Sequence, residues 1–213
     1  KSGETIAIVG STGAGKSTII NLLNRFYDID SGRILLDGQD IYQFKVDDLR
    51  KNIAVVLQDV FLFADTIFNN IALYNPEITK EQVIDAAKVI GAHDFIMQLP
   101  GDYNFNVKER GSMLSSGQRQ LISFIRAYVA KPNILILDEA TSSIDSYSEE
   151  LIQKAIETIT KDATSIIIAH RLATIEHADR IIVMDKGLII EQGNHYDLLK
   201  IKDGYYKKLY ESQ

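Results

Sequence analysis

The segment GSTGAGKST, from Gly10 to Thr18, constrains the fold of this chain more than any other feature. It follows the pattern G-x-x-x-x-G-K-[ST] and lies between an apolar, strand-like run at 5–9 and a helical pattern at 17–25. Glycines let the backbone pass close to an anion, and the N–H groups at a helix start converge on phosphate. The segment therefore predicts a phosphate loop. A glycine-rich turn that binds nothing is the alternative, and the complete strand–loop–helix context argues against it.

Two side chains of the phosphate loop have specific predicted tasks. The Lys16 ammonium is expected to neutralise charge on the β- and γ-phosphates of a nucleotide, and the Ser17 hydroxyl is expected to bind Mg²⁺. The residues predicted to hold the phosphates are Ser11, Thr12, Gly13, Ala14, Gly15, Lys16, Ser17 and Thr18.

Alternating strand-like and helical patterns predict an α/β fold of the P-loop nucleotide-binding type, with a mostly parallel sheet flanked by helices. Two strand-like runs, 134–137 and 165–169, are apolar throughout, as in a sheet covered on both faces. The hairpin signal Asp185-Lys186-Gly187 predicts a small antiparallel part. Other predicted strands are 5–9, 34–36, 53–57, 180–184 and 188–191, and the predicted helices are 17–25, 80–90, 117–130 and 148–160. The segment from about 70 to 130 is mostly helical and is predicted to form a helical subdomain.

Composition excludes several classes of protein. The 213-residue chain has a net charge of −6 and no block of Lys or Arg, so we expect no nucleic-acid partner. It has no cysteine, which excludes disulfides and thiolate metal sites. Its longest apolar runs fall far short of the ~20 residues that span a bilayer, so any membrane part is expected to lie elsewhere. The first residues enter a strand with no lead-in, and we expect the domain to begin earlier.

Polar residues follow three of the apolar strand-like runs. ILILDEA ends in Asp138, suited to the Mg²⁺ side of a phosphate site, and Glu139, suited to polarising an attacking water. IIIAHR ends near His170, and the position of this residue after a buried-type strand favours contact with phosphate. Gln58 ends IAVVLQ and by itself is a weak signal for Mg²⁺ or water binding. Ligands in open α/β sheets gather at the carboxyl edge, so these residues are expected to lie together. A solvated strand end is the alternative for the acidic pair.

A second stretch, MLSSGQRQL at 113–121, predicts another helix start with serine and glycine at its tip. Together with GSTGAGKST, Gln58, ILILDEA, SSID and His170, in this order along the chain, it resembles the nucleotide-binding domain of ABC transporters. NRFYDIDSGRILLDGQDI and VLQDVFLFADTIFNNI are most similar to exporters that carry transmembrane and nucleotide-binding domains in one polypeptide. The resemblance implies a Mg²⁺-dependent ATPase that powers export. It would lie at the cytoplasmic face of a membrane, attached through a transmembrane domain outside this chain.

The resemblance assigns a task to each matching residue. Glu139 would be the general base, His170 would contact the γ-phosphate, and Gln58 would touch Mg²⁺ and relay to the transmembrane part. The implied catalytic residues are Glu139, His170, Gln58 and Lys16, and the implied Mg²⁺ ligands are Ser17, Gln58 and Asp138.

The resemblance also explains the second helix start. Two such domains, in a homodimer or a heterodimer, would pack head to tail, so that the segment 114–118 binds the partner's ATP. The residues implied in that contact are Ser115, Ser116, Gly117 and Gln118, and Asp145 would lie at the dimer interface.

Three departures from the family pattern stand out. Ser116 replaces the commoner glycine: if the position requires positive φ, serine costs on the order of 1 kcal/mol, and if it does not, serine is favourable at a helix start. We expect tolerance, because Ser115, Gly117 and Gln118 are intact. FNVKERG differs from the commoner TEVGERG at Phe105, Asn106 and Lys108. The aromatic that stacks on adenine is expected upstream of the phosphate loop, and residues 1–9 contain none.

An apolar cluster lies between Gln58 and Phe68, where the resemblance implies a groove for coupling helices of a transmembrane domain. Core packing is the alternative for some of its members. We expect Phe61 or Phe63 to remain partly exposed, since exposed apolar patches mark interaction sites.

Three other functions remain as alternatives. A soluble ABC ATPase without transport would need coiled-coil insertions or paired domains, and a regulatory nucleotide switch would often lack Glu139 or His170. A GTPase would need an Asn-Lys-x-Asp segment, which the sequence does not contain.

Overall fold

A computed structural model describes residues 1–138, 146–161, 163–168 and 175–212. Its strands are β1 Thr5–Gly10, β2 Leu35–Leu36, β3 Gln39–Asp40, β4 Ile53–Val56, β5 Ile134–Asp138, β6 Thr164–Ile168, β7 Arg180–Asp185 and β8 Leu188–Gly193. Its helices are α1 Lys16–Leu23, α2 Val46–Lys51, α3 Ile67–Ala72, α4 Lys80–Ile90, α5 His93–Met97, α6 Ser116–Val129, α7 Ser146–Thr160, α8 His195–Leu199 and α9 Tyr205–Glu211. Short 3₁₀ turns occupy Ile41–Gln43, Asp102–Asn104 and Glu109–Gly111.

The central sheet follows the order β4-β5-β6-β1-β7-β8. The pairings of β5 with β6, β6 with β1 and β1 with β7 are parallel. Strand β8 returns antiparallel to β7 through a tight turn in which Lys186 and Gly187 have φ of 48° and 80°, the positive values that hairpin turns favour. Strands β2 and β3 form a separate antiparallel pair. The predicted α/β fold with a mostly parallel sheet and a small antiparallel part is confirmed.

The chain divides into two compact units. The first comprises Lys1–Val55, Pro132–Ala140 and Ala163–Gln213, and the second comprises Val56–Lys131 and Thr141–Asp162. The first unit contains the sheet and a core of apolar side chains from β1, β5, β6, β7 and α1. The buried members of this core are Ile8, Ala14, Ile20, Ile136, Ile168 and Met184.

The second unit is built around α6, which packs against α3, α4 and α7. Its apolar face is buried, with Leu121, Ile122, Phe124 and Ile125 at most 2% exposed. Helix α4 begins at the predicted residue, and Thr79 and Gln82 form a capping box there. The predicted extent of a helical subdomain, about 70 to 130, stays a prediction. No helix among the described residues combines the length and the apolarity that a membrane crossing requires.

Alanine substitutions at Gly10 and Gly13 should destabilise the protein to different extents. Both glycines have positive φ, but only Gly10 lies against another strand. An added Cβ at Gly10 would lie 2.2 Å from the Met184 carbonyl oxygen on β7, whereas nothing lies within 4 Å of one at Gly13. We expect Gly13→Ala to lower the free energy of unfolding by about 1–2 kcal/mol through backbone strain. Gly10→Ala should lower it by more than about 3 kcal/mol, because β1 must also move. Denaturant unfolding measures both, and equal losses would contradict the close approach of β1 to β7.

Candidate nucleotide-binding site

The phosphate loop connects the end of β1 at Gly10 to the start of α1 at Lys16. Gly15 is the N-cap of α1, has φ of 101°, and makes no side-chain cap hydrogen bond. A helix start leaves backbone N–H groups without intrahelical partners, and the N-cap Gly15 has no side chain to cap them. The Ala14 carbonyl accepts a hydrogen bond of 3.0 Å from the Gly187 N–H, which ties the loop to the β7–β8 turn. The loop therefore presents fixed N–H donors at the positive end of a helix.

The Lys16 side chain is folded onto this loop and is 7% exposed. Its Nζ donates to the carbonyl oxygens of Gly10 and Ser11 at 2.8 and 3.0 Å. Burial lowers the pKa of Lys16, and the Asp138 carboxylate opposes this by raising it. A buried cation that donates to neutral carbonyls gains from an added anion, because the low local polarity strengthens the attraction.

Strand register places Asp138 at the same edge of the sheet as the phosphate loop. Asp138 pairs with Ile168, which in turn pairs with Ile8 on β1, two residues before Gly10. Two strand spacings amount to about 10 Å between backbones. The electrostatic effect of Asp138 on Lys16 is consistent with this proximity. The backbone therefore places Asp138 near the phosphate loop, where the sequence predicted a strand-end aspartate.

Of four further predicted site residues, one lies in the second unit and three lie outside the described residues. Gln58 is exposed, in a bend two residues after β4 and within the second unit. Glu139, Asp145 and His170 lie outside the described residues, so their roles stay predictions. Among the residues that the structure describes, no three His, Cys, Asp or Glu side chains cluster as a metal site. The oxygen donors Ser17 and Asp138 of the first unit still suit Mg²⁺, which is usually bound by few protein ligands together with water and phosphate.

The segment 114–118 forms a capped helix start. The Ser115 Oγ accepts from the Gln118 N–H at 3.2 Å, and the Gln118 Oε1 accepts from the Ser115 N–H at 3.0 Å. Ser115 and Ser116 are exposed, and Gly117 is buried. Ser116 is the first residue of α6 and is not among the residues with positive φ. Its departure from glycine therefore costs no backbone strain, as expected.

The segment just before this helix is strained. Lys108 has φ of 61° and ψ of −175°, a region that is essentially restricted to glycine. Arg110 and Gly111 also have positive φ, of 53° and 68°. Lys108 is one of the positions at which the sequence departs from the family pattern, where glycine is commoner. The chain thus places a lysine in a backbone conformation suited to glycine.

Phe61 and Phe63, here called the aromatic pair, are 55% and 49% exposed. Their ring centroids are 5.1 Å apart in an edge-to-face arrangement. The neighbouring Leu62 and Ile67 are fully buried, so core packing holds for those two. The prediction that Phe61 or Phe63 stays exposed is confirmed. Sequence reasoning missed Asn70 and Arg126, two polar residues beneath this pair, because a single Asn or Arg in a helical pattern carries no distinguishing signal.

A glycine-rich loop between β1 and α1, a buried lysine on it and an aspartate at the same sheet edge define a P-loop nucleotide-binding domain. The family model described as ABC transporter matches residues 1–142. The chain therefore belongs to the ABC transporter family, and the predicted resemblance is confirmed.

Individual relatives agree with this assignment. Proteins of Staphylococcus aureus strains NCTC 8325 and Mu50 are each 52% identical over 211 residues. Their names assign them to the multidrug export ATP-binding/permease proteins. A solved structure of a bacterial Atm1-family ABC exporter with ATP bound is 45% identical, with a TM-score of 0.91 over 100% of this chain. The chain spans 36% of the length of those two relatives and 37% of that solved chain.

Relief of strain at Lys108 should be measurable. We expect Lys108→Gly to raise the free energy of unfolding by about 1 kcal/mol, since the strain removed exceeds the entropy that a glycine adds to the unfolded chain. Lys186→Gly is the matched control, because Lys186 has φ of 48° within the tight β7–β8 turn. Its effect should stay within about 0.5 kcal/mol. Thermal and denaturant unfolding of both variants measure these changes. A neutral or destabilising effect of Lys108→Gly would contradict backbone strain at Lys108.

Proposed function

We propose that this domain binds and hydrolyses ATP to power the export of a substrate across a membrane. The observation that carries the proposal is the buried Lys16 on a phosphate loop whose helix start has no side-chain cap. The exporter names of the relatives support the export step. The domain would lie at the cytoplasmic face, joined to a transmembrane domain. Residues of about 70 to 130 would form a helical subdomain that carries the segment 114–118.

Within the site, the chain's own groups would divide the work. The N–H groups from Gly13 to Thr18 would hold the phosphates, and the Lys16 ammonium would exchange its carbonyl partners for phosphate oxygens. Ser17, Asp138 and Gln58 would hold a Mg²⁺ ion, which would neutralise charge on the β- and γ-phosphates. Glu139 would accept the proton of the attacking water, and His170 would donate to the γ-phosphate.

The segment 114–118 would serve the ATP of a second domain packed head to tail. Because the Ser115 Oγ accepts the Gln118 N–H, its own O–H hydrogen is left to point outward and donate to a phosphate. The α6 N-terminus adds a favourable electrostatic field. Gln118 would act mainly by holding this cap, since its Oε1 is engaged by the Ser115 N–H. ATP binding would close the dimer and hydrolysis would open it.

The role of the general base predicts a selective loss of turnover. Glu139→Gln should lower kcat by about 10²–10⁴-fold while ATP still binds, because only the proton acceptor is lost. The variant should also accumulate an ATP-bound dimer, which size-exclusion chromatography with ATP would detect. Glu157→Gln, at an exposed position on α7, is the matched control and should leave turnover unchanged. Full turnover in Glu139→Gln would refute the assignment.

The role across the interface predicts that Ser115 acts on dimerisation. Ser115→Ala should weaken ATP-dependent dimerisation while monomer binding of ATP, measured by titration calorimetry, stays unchanged. Ser115→Asp restores a helix cap but repels phosphate, so it should recover helix stability without recovering the dimer. Ser112→Ala, at a nearby exposed serine, serves as the control. An equal loss of monomer binding in Ser115→Ala would contradict the proposal.

A further inference from the structure

We propose that Asn70 and Arg126 are positioning residues that fix the aromatic pair on the surface and tie it to α6. The consequence for transport rests on the proposed function, in which the aromatic pair contacts a transmembrane partner. The positioning itself rests only on contacts within the second unit. All the residues involved lie between Phe61 and Arg126.

Asn70 closes the loop that carries the aromatic pair. Its side chain is completely buried. Its Nδ2 donates to the carbonyl oxygens of Phe63 and Thr66 at 3.0 and 2.9 Å, and its Oδ1 accepts from the Phe63 N–H at 2.8 Å. The amide therefore takes both backbone groups of Phe63, as a neighbouring strand would. A loop whose backbone groups are paired in this way has few alternative conformations, since breaking the pairs leaves the buried Asn70 amide unsatisfied.

Arg126 connects this loop to α6. Its Nε donates to the Asn70 carbonyl oxygen at 2.8 Å, and a second guanidinium nitrogen donates to the Phe61 carbonyl oxygen at 3.4 Å. Burial lowers its pKa. No ion pair joins Arg126 to an acidic side chain within the described part of the chain. A partly buried guanidinium that donates to carbonyls costs desolvation, and among the described residues no ion pair offsets that cost; its planar fork therefore serves to fix geometry.

The same loop is tied to the start of α6 by backbone hydrogen bonds. The Ile67 N–H donates to the Phe105 carbonyl, and the Val107 N–H donates to the Asp65 carbonyl, both at 3.0 Å. The Met113 N–H then donates to the Val107 carbonyl at 3.4 Å, two residues before Ser115. Residues 61–67 are therefore attached to α6 twice, near its start and through Arg126 in its last turns. A displacement of the aromatic pair would be passed to Ser115 rather than absorbed by the loop.

The exposure of the aromatic pair indicates that this surface binds a partner. The two rings are about half exposed, although a buried amide and a partly buried guanidinium hold the backbone beneath them. Rings of this size usually enter the core, where they contribute most to stability. A rigid, exposed aromatic pair is what a partner surface can bind without a further cost of ordering.

Fluorine NMR of the domain labelled with 4-fluorophenylalanine tests the positioning. Phe61→Leu and Phe63→Leu assign the two resonances among the eight phenylalanines. In Asn70→Ala and Arg126→Met, both resonances should shift and broaden while the protein stays folded. Arg126→Lys keeps the charge but not the fork, so it should not restore them. Ser123→Ala, which removes a buried hydroxyl from the same helix, should leave them in place.

Unchanged Phe61 and Phe63 resonances in Asn70→Ala, or full restoration in Arg126→Lys, would overturn the positioning. A second measurement tests the consequence for coupling: ATP hydrolysis by the complete transmembrane protein in lipid vesicles. There, Asn70→Ala should lower kcat roughly two- to thirty-fold, the range for residues that couple sites, with KM for ATP unchanged. Altered resonances together with an unaltered kcat would leave the positioning intact and overturn the proposed role of the aromatic pair in coupling.

Discussion

The contact between the Lys16 ammonium and the carbonyls of Gly10 and Ser11 is the interaction on which the rest of the site depends. It requires β1 to end against β7, where only a glycine fits at position 10. The approach of Asp138 to this loop also requires a parallel sheet, because strands that run in the same direction bring the ends of β1 and β5 to one edge. The sheet therefore brings a buried cation, the start of α1 and a strand-end aspartate to the same edge.

A second dependence runs through α6. One end of this helix carries Ser115 and Ser116, and its last turns carry Arg126, while its apolar face forms the core of the second unit. Helices are stiff, and close packing along the face keeps both ends in register with α3, α4 and α7. A single element can thus bear the residues proposed for ATP of a second domain and those that hold an exposed aromatic surface. The two proposals share a scaffold but can fail separately.

Sequence patterns predicted the long elements well and the short ones poorly. Helix α4 and its Thr79 cap follow from an apolar period over eleven residues, and β5 and β6 follow from uninterrupted apolar runs. Helices α2, α3, α5, α8 and α9 have five to seven residues, too few to establish a period. Motif spacing predicted the phosphate loop and Asp138, because local chemistry dictates both. The contacts of Arg126 were not predictable, since they join residues 56 and 65 positions apart and depend on packing.

The two helix starts that carry serine and glycine are built in opposite ways, and this bears on how the domain would cycle. The start of α1 has a glycine N-cap without a side-chain bond, so in the proposed function its N–H groups would be completed by a ligand. The start of α6 is completed by its own Ser115 and Gln118. Helix α6 therefore keeps its form whether or not a phosphate is present, whereas the α1 start gains partners on binding. A preformed half-site adds little ordering cost when a second domain arrives, which favours binding of ATP to the phosphate loop before the dimer closes.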